Sequence, residues 1–142
     1  MNKYITKSEK ETFNLGLKLA KKLKGGDVLA LSGDLGAGKT KFLQGLAEGL
    51  GVKARVNSPT FNILKLYKIS QNIKIKQFCH IDAYRLSLGK DLISLGVEEY
   101  FQDKKTITAI EWAEKVKNIL PRKTLVIKIK AISEKEREIV LK

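Results

Sequence analysis

Two arrangements of apolar residues alternate along the chain, continuous runs and repeats at helical spacing. The runs at Val28–Ser32 and at 106–110 are nearly all apolar, which is typical of strands buried on both faces of a parallel sheet. Apolar residues recur at helical spacing within 13–23 and 42–50. This alternation of strand and helix predicts an α/β fold.

Local signals predict the ends of the two helices. Ser8 and Glu11 form a Ser-x-x-Glu capping box, in which each side chain satisfies a free backbone donor, so the first helix is expected to begin there. Glycines at 25–26 are expected to end it with a positive φ, and glycines at 49 and 51 mark the end of the second helix.

The other apolar segments predict further strands and a helical stretch: strands at 3–6, 61–69, 73–81, 125–132 and 137–141, and helical pieces within 90–101. A polar turn at 70–72 joins the middle pair into a hairpin, and the last two strands form another. We expect a mixed β-sheet flanked by helices, in a single domain covering residues 1–142.

The composition fits one globular domain. The chain has 142 residues, of which 43% are apolar and 30% charged. Its one cysteine, Cys79, cannot form an internal disulfide and lacks the Cys and His neighbours that a zinc site requires. The first residues lack the apolar core of a signal peptide, and no apolar stretch approaches the roughly 20 residues that cross a bilayer. A cytoplasmic protein without a membrane segment is therefore expected.

The formal net charge is +13, from 28 Lys and Arg against 15 Asp and Glu. Clusters of basic side chains bind nucleic-acid phosphates. Along this sequence they do not cluster but are spread through every segment, and few of them are arginine. The sequence therefore favours a solvated basic surface, with an RNA or an acidic protein partner as the alternative.

A glycine-rich segment follows the strand Val28–Ser32 directly and reads GDLGAGKT. It matches G-x-x-x-x-G-K-S/T, whose glycines let successive N–H groups point into one anion-binding concavity. Lys39 can then reach the β- and γ-phosphates, and the Thr40 hydroxyl is placed to bind Mg²⁺. A chance glycine turn would not need the buried strand and the amphipathic helix that flank it. The predicted nucleotide-binding residues of this P-loop are Gly33, Asp34, Leu35, Gly36, Ala37, Gly38, Lys39 and Thr40.

Two acidic residues end predicted strands and are candidates for the magnesium side of the site. Asp82 follows the segment Phe-Cys-His-Ile, where a P-loop protein carries its second metal ligand. An acid at a strand end is equally a helix cap or turn former. Glu111 closes the 106–110 strand and could bind Mg²⁺ or orient the attacking water. Trp112, the next residue, could be a ligand contact or a core aromatic.

Ser58-Pro59-Thr60-Phe61 follows the helix of the nucleotide unit, where other nucleotide-dependent switches place a hydroxyl that senses Mg²⁺ and the γ-phosphate. A simple proline turn is the alternative reading of this segment. His80, taken alone, would be assigned to packing or to a surface hydrogen bond.

These pieces in order resemble the TsaE (YjeE) family: GDLGAGKT, Ser-Pro-Thr-Phe, His-x-Asp-x-Tyr-Arg at 80–85, Leu-Gly at 95–96 and Glu-Trp at 111–112. The resemblance covers nearly the whole chain. It implies a P-loop NTPase-like fold and a small ATPase, using ATP and Mg²⁺, that acts with TsaB and TsaD in threonylcarbamoyl modification of the tRNA adenosine beside the anticodon. Contact with tRNA is then indirect, through the complex. The ATPase is weak alone and is completed by its partners.

The resemblance also implies roles for single residues. Thr40 and Glu111 become the expected Mg²⁺ ligands, Asp82 acts directly or through water, and the catalytic set is Lys39, Asp82 and Glu111. The base is held near Glu9 and Arg137. Residues of the switch or partner-linked set are Ser58, Thr60, His80, Tyr84, Arg85 and Trp112. Ala113 stands where many relatives carry proline, which affects loop shape rather than chemistry.

Two other functions compete with this prediction. A small-molecule kinase shares the loop but adds an arginine-bearing lid and an acceptor region, for which 142 residues and few arginines leave little room. A non-enzymatic RNA-binding module would use the basic charge and need no nucleotide. Because the sequence shows no arginine in an obvious finger position, slow basal turnover is expected.

Overall fold

A computed structural model of the protein describes residues 2–34, 36–57, 63–86 and 89–142. The strands are β1 (Asn2–Thr6), β2 (Val28–Ser32), β3 (Leu64–Lys68), β4 (Gln77–Asp82), β5 (Thr106–Glu111), β6 (Leu125–Ala131) and β7 (Arg137–Leu141). The helices are α1 (Glu9–Ala20), α2 (Lys39–Leu50), α3 (Gly89–Ile93) and α4 (Val97–Gln102), with a 3₁₀ segment at Ala113–Ile119. No helix in these described ranges is long and apolar enough to cross a membrane.

The seven strands form one mixed sheet in the order β1-β7-β6-β2-β5-β4-β3, which confirms the predicted α/β class. The four central strands, β6, β2, β5 and β4, are parallel. The outer pairs β1–β7, β7–β6 and β3–β4 are antiparallel. The carboxyl ends of the parallel strands therefore meet along one edge, where α/β proteins bind ligands.

Apolar side chains fill both faces of the sheet. On one face α1 and α2 pack over β2 and its neighbours, with Leu31, Phe42 and Leu46 fully buried. On the other face, α3, α4 and the 3₁₀ segment cover the sheet around Leu92 and Ile110. Helices thus flank the sheet on both sides, as the alternating pattern predicts.

Close approach of α1 and α2 depends on glycine. A Cβ on Gly45 would overlap the backbone oxygen of Phe13, and one on Gly16 would overlap that of Phe42. The helix backbones therefore meet at a distance that no larger side chain allows. This contact fixes the direction of α2, which begins at the end of the glycine-rich loop.

The start of α1 is close to the prediction and its end is not. Ser8 Oγ accepts the Glu11 N–H at 3.1 Å, but the Glu11 carboxylate accepts the Lys7 N–H at 3.0 Å instead of that of Ser8. The helix ends at Ala20 with Lys21 as its C-cap, so the glycines at 25–26 do not end it. They turn the chain into β2, and Gly26 there has φ 94°.

The middle hairpin has a longer connection than the sequence predicts. β4 begins at Gln77 rather than at 73, and Ile73 is 91% exposed. Asn72 Oδ1 accepts the N–H groups of Lys74 and Ile75, which holds the chain in a turn. The beginning of the predicted first strand, 61–62, lies outside the described residues.

The helical stretch predicted at 90–101 is two short helices, α3 and α4, separated at Gly96, which has φ 78°. The hairpin of β6 and β7 is confirmed.

Candidate functional site

The predicted phosphate-binding loop lies between the end of β2 and the start of α2. Gly33, Gly36 and Gly38 have φ values of 152°, 78° and 104°, a region that other residues rarely adopt. The Ala37 N–H donates to the Asp34 carbonyl at 3.0 Å and closes a turn inside the loop. Leu35 lies outside the described residues. The curled backbone at the N-terminus of a twelve-residue helix is the arrangement that binds phosphate.

Lys39 is buried inside this loop, with 6% of its surface exposed. Its Nζ donates to the carbonyl oxygen of Gly33 and, at 3.4 Å, to that of Asp34. The ammonium also lies 3.8 Å from the ring centroid of Trp112. Burial lowers the pKa of Lys39, and the nearby charge of Glu111 opposes that shift. The site thus holds a cation whose hydration shell is already partly replaced by protein.

The two candidate acids face this loop from neighbouring strands. Asp82 and Glu111 are register partners at the carboxyl ends of the parallel strands β4 and β5. Asp82 Oδ1 accepts the Tyr84 N–H at 3.0 Å. Burial raises the pKa of Asp82, the charge of Glu111 raises it further, and the Tyr84 hydrogen bond opposes both. The sheet therefore brings two carboxyl groups together opposite Lys39.

His80 is neither a surface residue nor simply a packing residue. It is fully buried, and its Nε2 lies 2.7 Å from Oε2 of Glu111, which is itself 2% exposed. The His80 ring stacks on Phe78 with an interplanar angle of 19°. The Nδ1 atom of His80 has no hydrogen-bond partner among the described residues. A proton on Nε2 can therefore be donated to the Glu111 carboxylate, which leaves Nδ1 as the unprotonated nitrogen. His80 fixes the orientation of the Glu111 carboxylate.

Spacing within the strand could have predicted the face of the sheet on which His80 lies, but not its partner. Residues two apart in a strand share a face, so His80 points to the same side of the sheet as Asp82. The spacing of His80 and Asp82 contributes to the family resemblance but does not indicate a hydrogen bond to Glu111.

Trp112 lines the cleft and also packs against the core cluster beneath it. Its φ of 57° is the one positive value for a non-glycine residue in the described ranges. The ring centroid lies 5.0 Å from that of Tyr84, and Lys115 Nζ donates to the Tyr84 carbonyl at 2.5 Å. The backbone strain of a left-handed tryptophan is typical of a functional position.

A cleft of about 530 Å³ opens over the loop, a size typical of small-molecule sites. Its wall contains most of the predicted site residues: Glu9, Gly36, Ala37, Gly38, Lys39, Thr40, Asp82, Tyr84, Glu111, Trp112 and Arg137. Arg85 is exposed and does not line it. Ser58 and Thr60 lie outside the described residues.

Two arginines line the cleft, although the sequence indicated no finger position. Arg137 Nη2 donates to the Gly36 carbonyl at 3.2 Å, and Nη1 is bound by carbonyls of the preceding turn, including that of Ser133 at 2.9 Å. Arg55 also lines the cleft, and sequence reasoning had no signal for it. Its position depends on the packing of the segment after α2 rather than on a motif.

The donor set fits a magnesium ion. In the described ranges no three His, Cys, Asp or Glu side chains are grouped to bind a metal. Mg²⁺ usually takes only one or two carboxylates from a protein and fills its shell with water and substrate phosphates. Asp82, Glu111 and the Thr40 hydroxyl on the cleft wall offer that set. Burial, and after it the charge of Glu111, raises the pKa of Asp82, and a divalent cation bound here would favour the ionised carboxylate.

Comparisons with known proteins indicate the family to which the chain belongs. Residues 6–139 match the family described as "Threonylcarbamoyl adenosine biosynthesis protein TsaE". The chain is 42% identical to the tRNA threonylcarbamoyladenosine biosynthesis protein TsaE of Bacillus subtilis, over 96% of this chain and 82% of that protein. It is 34% identical to the protein of that name from Treponema pallidum, over 96% and 97%.

A solved structure has the same fold. The crystal structure of YdiB from Bacillus subtilis superposes with a TM-score of 0.77 at 37% identity, covering 99% of this chain and 83% of that one. The family match extends over both the phosphate-binding loop and the two acids. The chain therefore belongs to the TsaE family of threonylcarbamoyladenosine biosynthesis proteins.

Proposed function

We propose that the protein is a Mg²⁺-dependent ATPase that supports threonylcarbamoyladenosine modification of tRNA together with homologues of TsaB and TsaD. One observation carries the proposal: Lys39 and Thr40 begin α2 directly across the cleft from Asp82 and Glu111. A phosphate-binding loop facing two carboxyl groups is the arrangement that P-loop NTPases use to bind a nucleotide with its metal. The role in tRNA modification rests on the description of the matched family.

The loop would bind the phosphates mainly through charge and backbone N–H groups. Lys39 now donates to the Gly33 and Asp34 carbonyls, and phosphate oxygens are stronger acceptors for an ammonium than carbonyls are. Because this ammonium is already buried, an arriving phosphate meets a cation in a low-dielectric setting. Binding therefore needs only a local movement of the lysine side chain.

Thr40 and Glu111 are the proposed Mg²⁺ ligands, and Asp82 binds the ion directly or through water. When bound, the ion would neutralise charge on the phosphates. Glu111 is also proposed to orient the attacking water, and the 2.7 Å hydrogen bond from His80 supports this by holding its carboxylate. Catalysis by this chain is then positioning and charge stabilisation.

Glu9 and Arg137 line the cleft and are proposed to contact the base and its sugar. Glu9 opens α1 and pairs with Lys41 at 4.0 Å, and Arg137 opens β7 and bonds Gly36. The C-terminal hairpin and the first helix thus border the loop from one side. The choice of ATP over other nucleotides rests on the family resemblance.

Partner control is the last part of the proposal. The Arg137 guanidinium donates to the backbone carbonyls of Ser133, Glu136 and Gly36 and is thus already engaged. We therefore expect slow turnover by the chain alone and faster turnover once TsaB and TsaD homologues dock.

Thr40→Ala tests the site directly. The variant loses a metal ligand, so we expect hydrolysis to fall by about 10-fold or more, while nucleotide affinity changes by only about 2- to 3-fold. Affinity can be followed by the fluorescence of Trp112, the only tryptophan, whose ring lies against Lys39. Thr124→Ala, at the opposite end of the sheet, is the matched control and should leave both quantities unchanged.

Unaltered hydrolysis in Thr40→Ala would contradict the metal assignment. Phosphate transfer to a small acceptor at a rate above hydrolysis would favour a kinase instead. Binding of tRNA that persists without any nucleotide binding by the wild-type chain would favour a non-enzymatic RNA-binding module.

A further inference from the structure

The amino ends of the parallel strands form the sheet edge opposite the candidate site. Because β6, β2, β5 and β4 are neighbours and parallel, the segments that precede them lie side by side as 121–124, 21–27, 103–105 and 69–76. The Gly26 N–H donates to the Thr106 carbonyl at 2.8 Å, and the Lys76 N–H donates to the Lys105 carbonyl at 2.7 Å. The segments 21–27, 103–105 and 69–76 are thus held together, and 121–124 leads into β6, the parallel neighbour of β2.

Exposed basic side chains occupy all four segments and are here called the basic edge: Lys21, Lys22, Lys24, Lys74, Lys76, Lys104, Lys105, Arg122 and Lys123. The sequence favoured a scattered basic surface. The parallel topology gathers these residues instead, because each one precedes a strand of the same sheet edge.

Few negative charges offset this edge. The carboxylates within the four segments belong to Asp27 and Asp103. Asp27 accepts the Lys24 N–H at 2.8 Å, and Asp103 accepts the Lys105 N–H and the Thr106 hydroxyl at 2.9 and 2.8 Å. Both acids thus hold turns, and across the described ranges no basic-edge side chain has a carboxylate oxygen within 4.0 Å.

We propose that the basic edge binds the phosphate backbone of RNA. Neighbouring strands lie about 4.8 Å apart, so the four segments span about 15 Å. A double-stranded nucleic acid carries one charge per about 1.7 Å of its axis, so several phosphates face such a span at once. Lysine binds phosphate as a point charge without a fixed geometry, which suits contacts that do not depend on base sequence.

The chemistry of the edge favours RNA over an acidic protein. Protein interfaces need an apolar centre, and Ile73 is the one large exposed apolar side chain that these four segments contribute. RNA is also the class of molecule named in the descriptions of the relatives. Because the edge lies opposite the cleft, RNA bound there leaves the nucleotide site open, and the inference does not depend on hydrolysis.

Binding of fluorescently labelled tRNA to the whole protein, measured by anisotropy over a range of KCl concentrations, tests the proposal. The edge variant carries Lys24→Glu, Lys76→Glu and Lys105→Glu. A control carries the same change at Lys10, Lys90 and Lys130, which are exposed elsewhere, so both variants lower the net charge equally.

We expect the edge variant to bind tRNA at least about 10-fold more weakly than the control. Its plot of log K against log salt concentration should be shallower by about 0.7–0.9 for each phosphate that the edge no longer neutralises. Equally weakened binding in both variants would overturn the proposal, because binding would then follow net charge and not this surface. It would also be overturned if wild-type protein bound no tRNA, or bound polyglutamate or anionic lipid vesicles as tightly. Thermal melts confirm that each variant is folded.

Discussion

Removing the hydrogen bond between His80 and Glu111 should slow hydrolysis without abolishing nucleotide binding. The two atoms lie 2.7 Å apart and both side chains are buried. A buried hydrogen bond to an ionised group contributes about 1.5–3 kcal/mol. If Glu111 loses its orientation in the transition state, that free energy corresponds to a rate reduction of about 10- to 100-fold.

Two substitutions separate the hydrogen bond from packing. His80→Phe keeps a planar ring beside Phe78, whose centroid is 6.1 Å from that of His80, but it removes the donor. His80→Gln removes the ring and keeps an N–H that can reach Glu111. We expect the phenylalanine variant to lose kcat by about 10- to 100-fold with KM for ATP within about 3-fold. The glutamine variant should recover most of that loss.

The assay is steady-state ATP hydrolysis, with a thermal melt of each variant to establish that it folds. A folded phenylalanine variant with the kcat of the wild type would show that the hydrogen bond does not support hydrolysis. A glutamine variant with a kcat no higher than that of the phenylalanine variant would show the same, because the loss would then come from the ring and not from the hydrogen-bond donor.

Two further predictions concern stability and are measured by thermal unfolding. Gly45→Ala gains about 1 kcal/mol of helix propensity, but its Cβ would overlap the Phe13 carbonyl, so a net loss of about 1–3 kcal/mol is expected. Glu48→Ala, exposed on the same helix, is the control, and a more stable Gly45→Ala protein would show that α1 and α2 are not in close contact. Asp82→Asn should lower hydrolysis and raise the melting temperature, because burial and Glu111 raise the pKa of Asp82 and so disfavour its ionised form in the fold. The gain in melting temperature of Asp82→Asn over the wild type should be absent below the ordinary Asp pKa of 3.8. It should grow as the pH rises through the raised pKa of Asp82 and then stay constant. A gain independent of pH would contradict this cause.

The phosphate-binding unit was predictable because its signals are local. A buried apolar run, three glycines, Lys39 and an amphipathic repeat follow one another in the chain, and the structure shows β2, the loop and α2 in that order. The two acids were predictable for a related reason, since each ends an apolar strand. Their roles in binding and catalysis stay predictions.

Contacts that depend on strand order could not be predicted from the sequence. The pairing of β4 with β5 brings His80 to Glu111, and nothing near position 80 indicates which strand is its neighbour. The basic edge has the same origin, because its lysines come from four separate segments that only the parallel sheet unites.

Local signals were also misleading where tertiary contacts determine the ends of helices and strands. The glycines at 25–26 suggested a helix end, but α1 ends at Ala20. A Cβ on Gly25 would overlap the Lys104 carbonyl, so that glycine serves the approach of the segment before β5. Likewise the turn at Asn72 delays β4 until Gln77.

The loop ending at Lys39 and Thr40 is proposed to be the ATP site of a partner-controlled tRNA-modification protein. The most direct test measures ATP hydrolysis and multiple-turnover tRNA modification in a reconstituted system of TsaB and TsaD homologues, with the wild-type chain, with Lys39→Ala and without the chain. We predict slow hydrolysis by the chain alone, faster hydrolysis with both partners, and sustained modification only with the wild type. Full-rate hydrolysis that the partners do not change, or sustained modification with Lys39→Ala, would contradict the account.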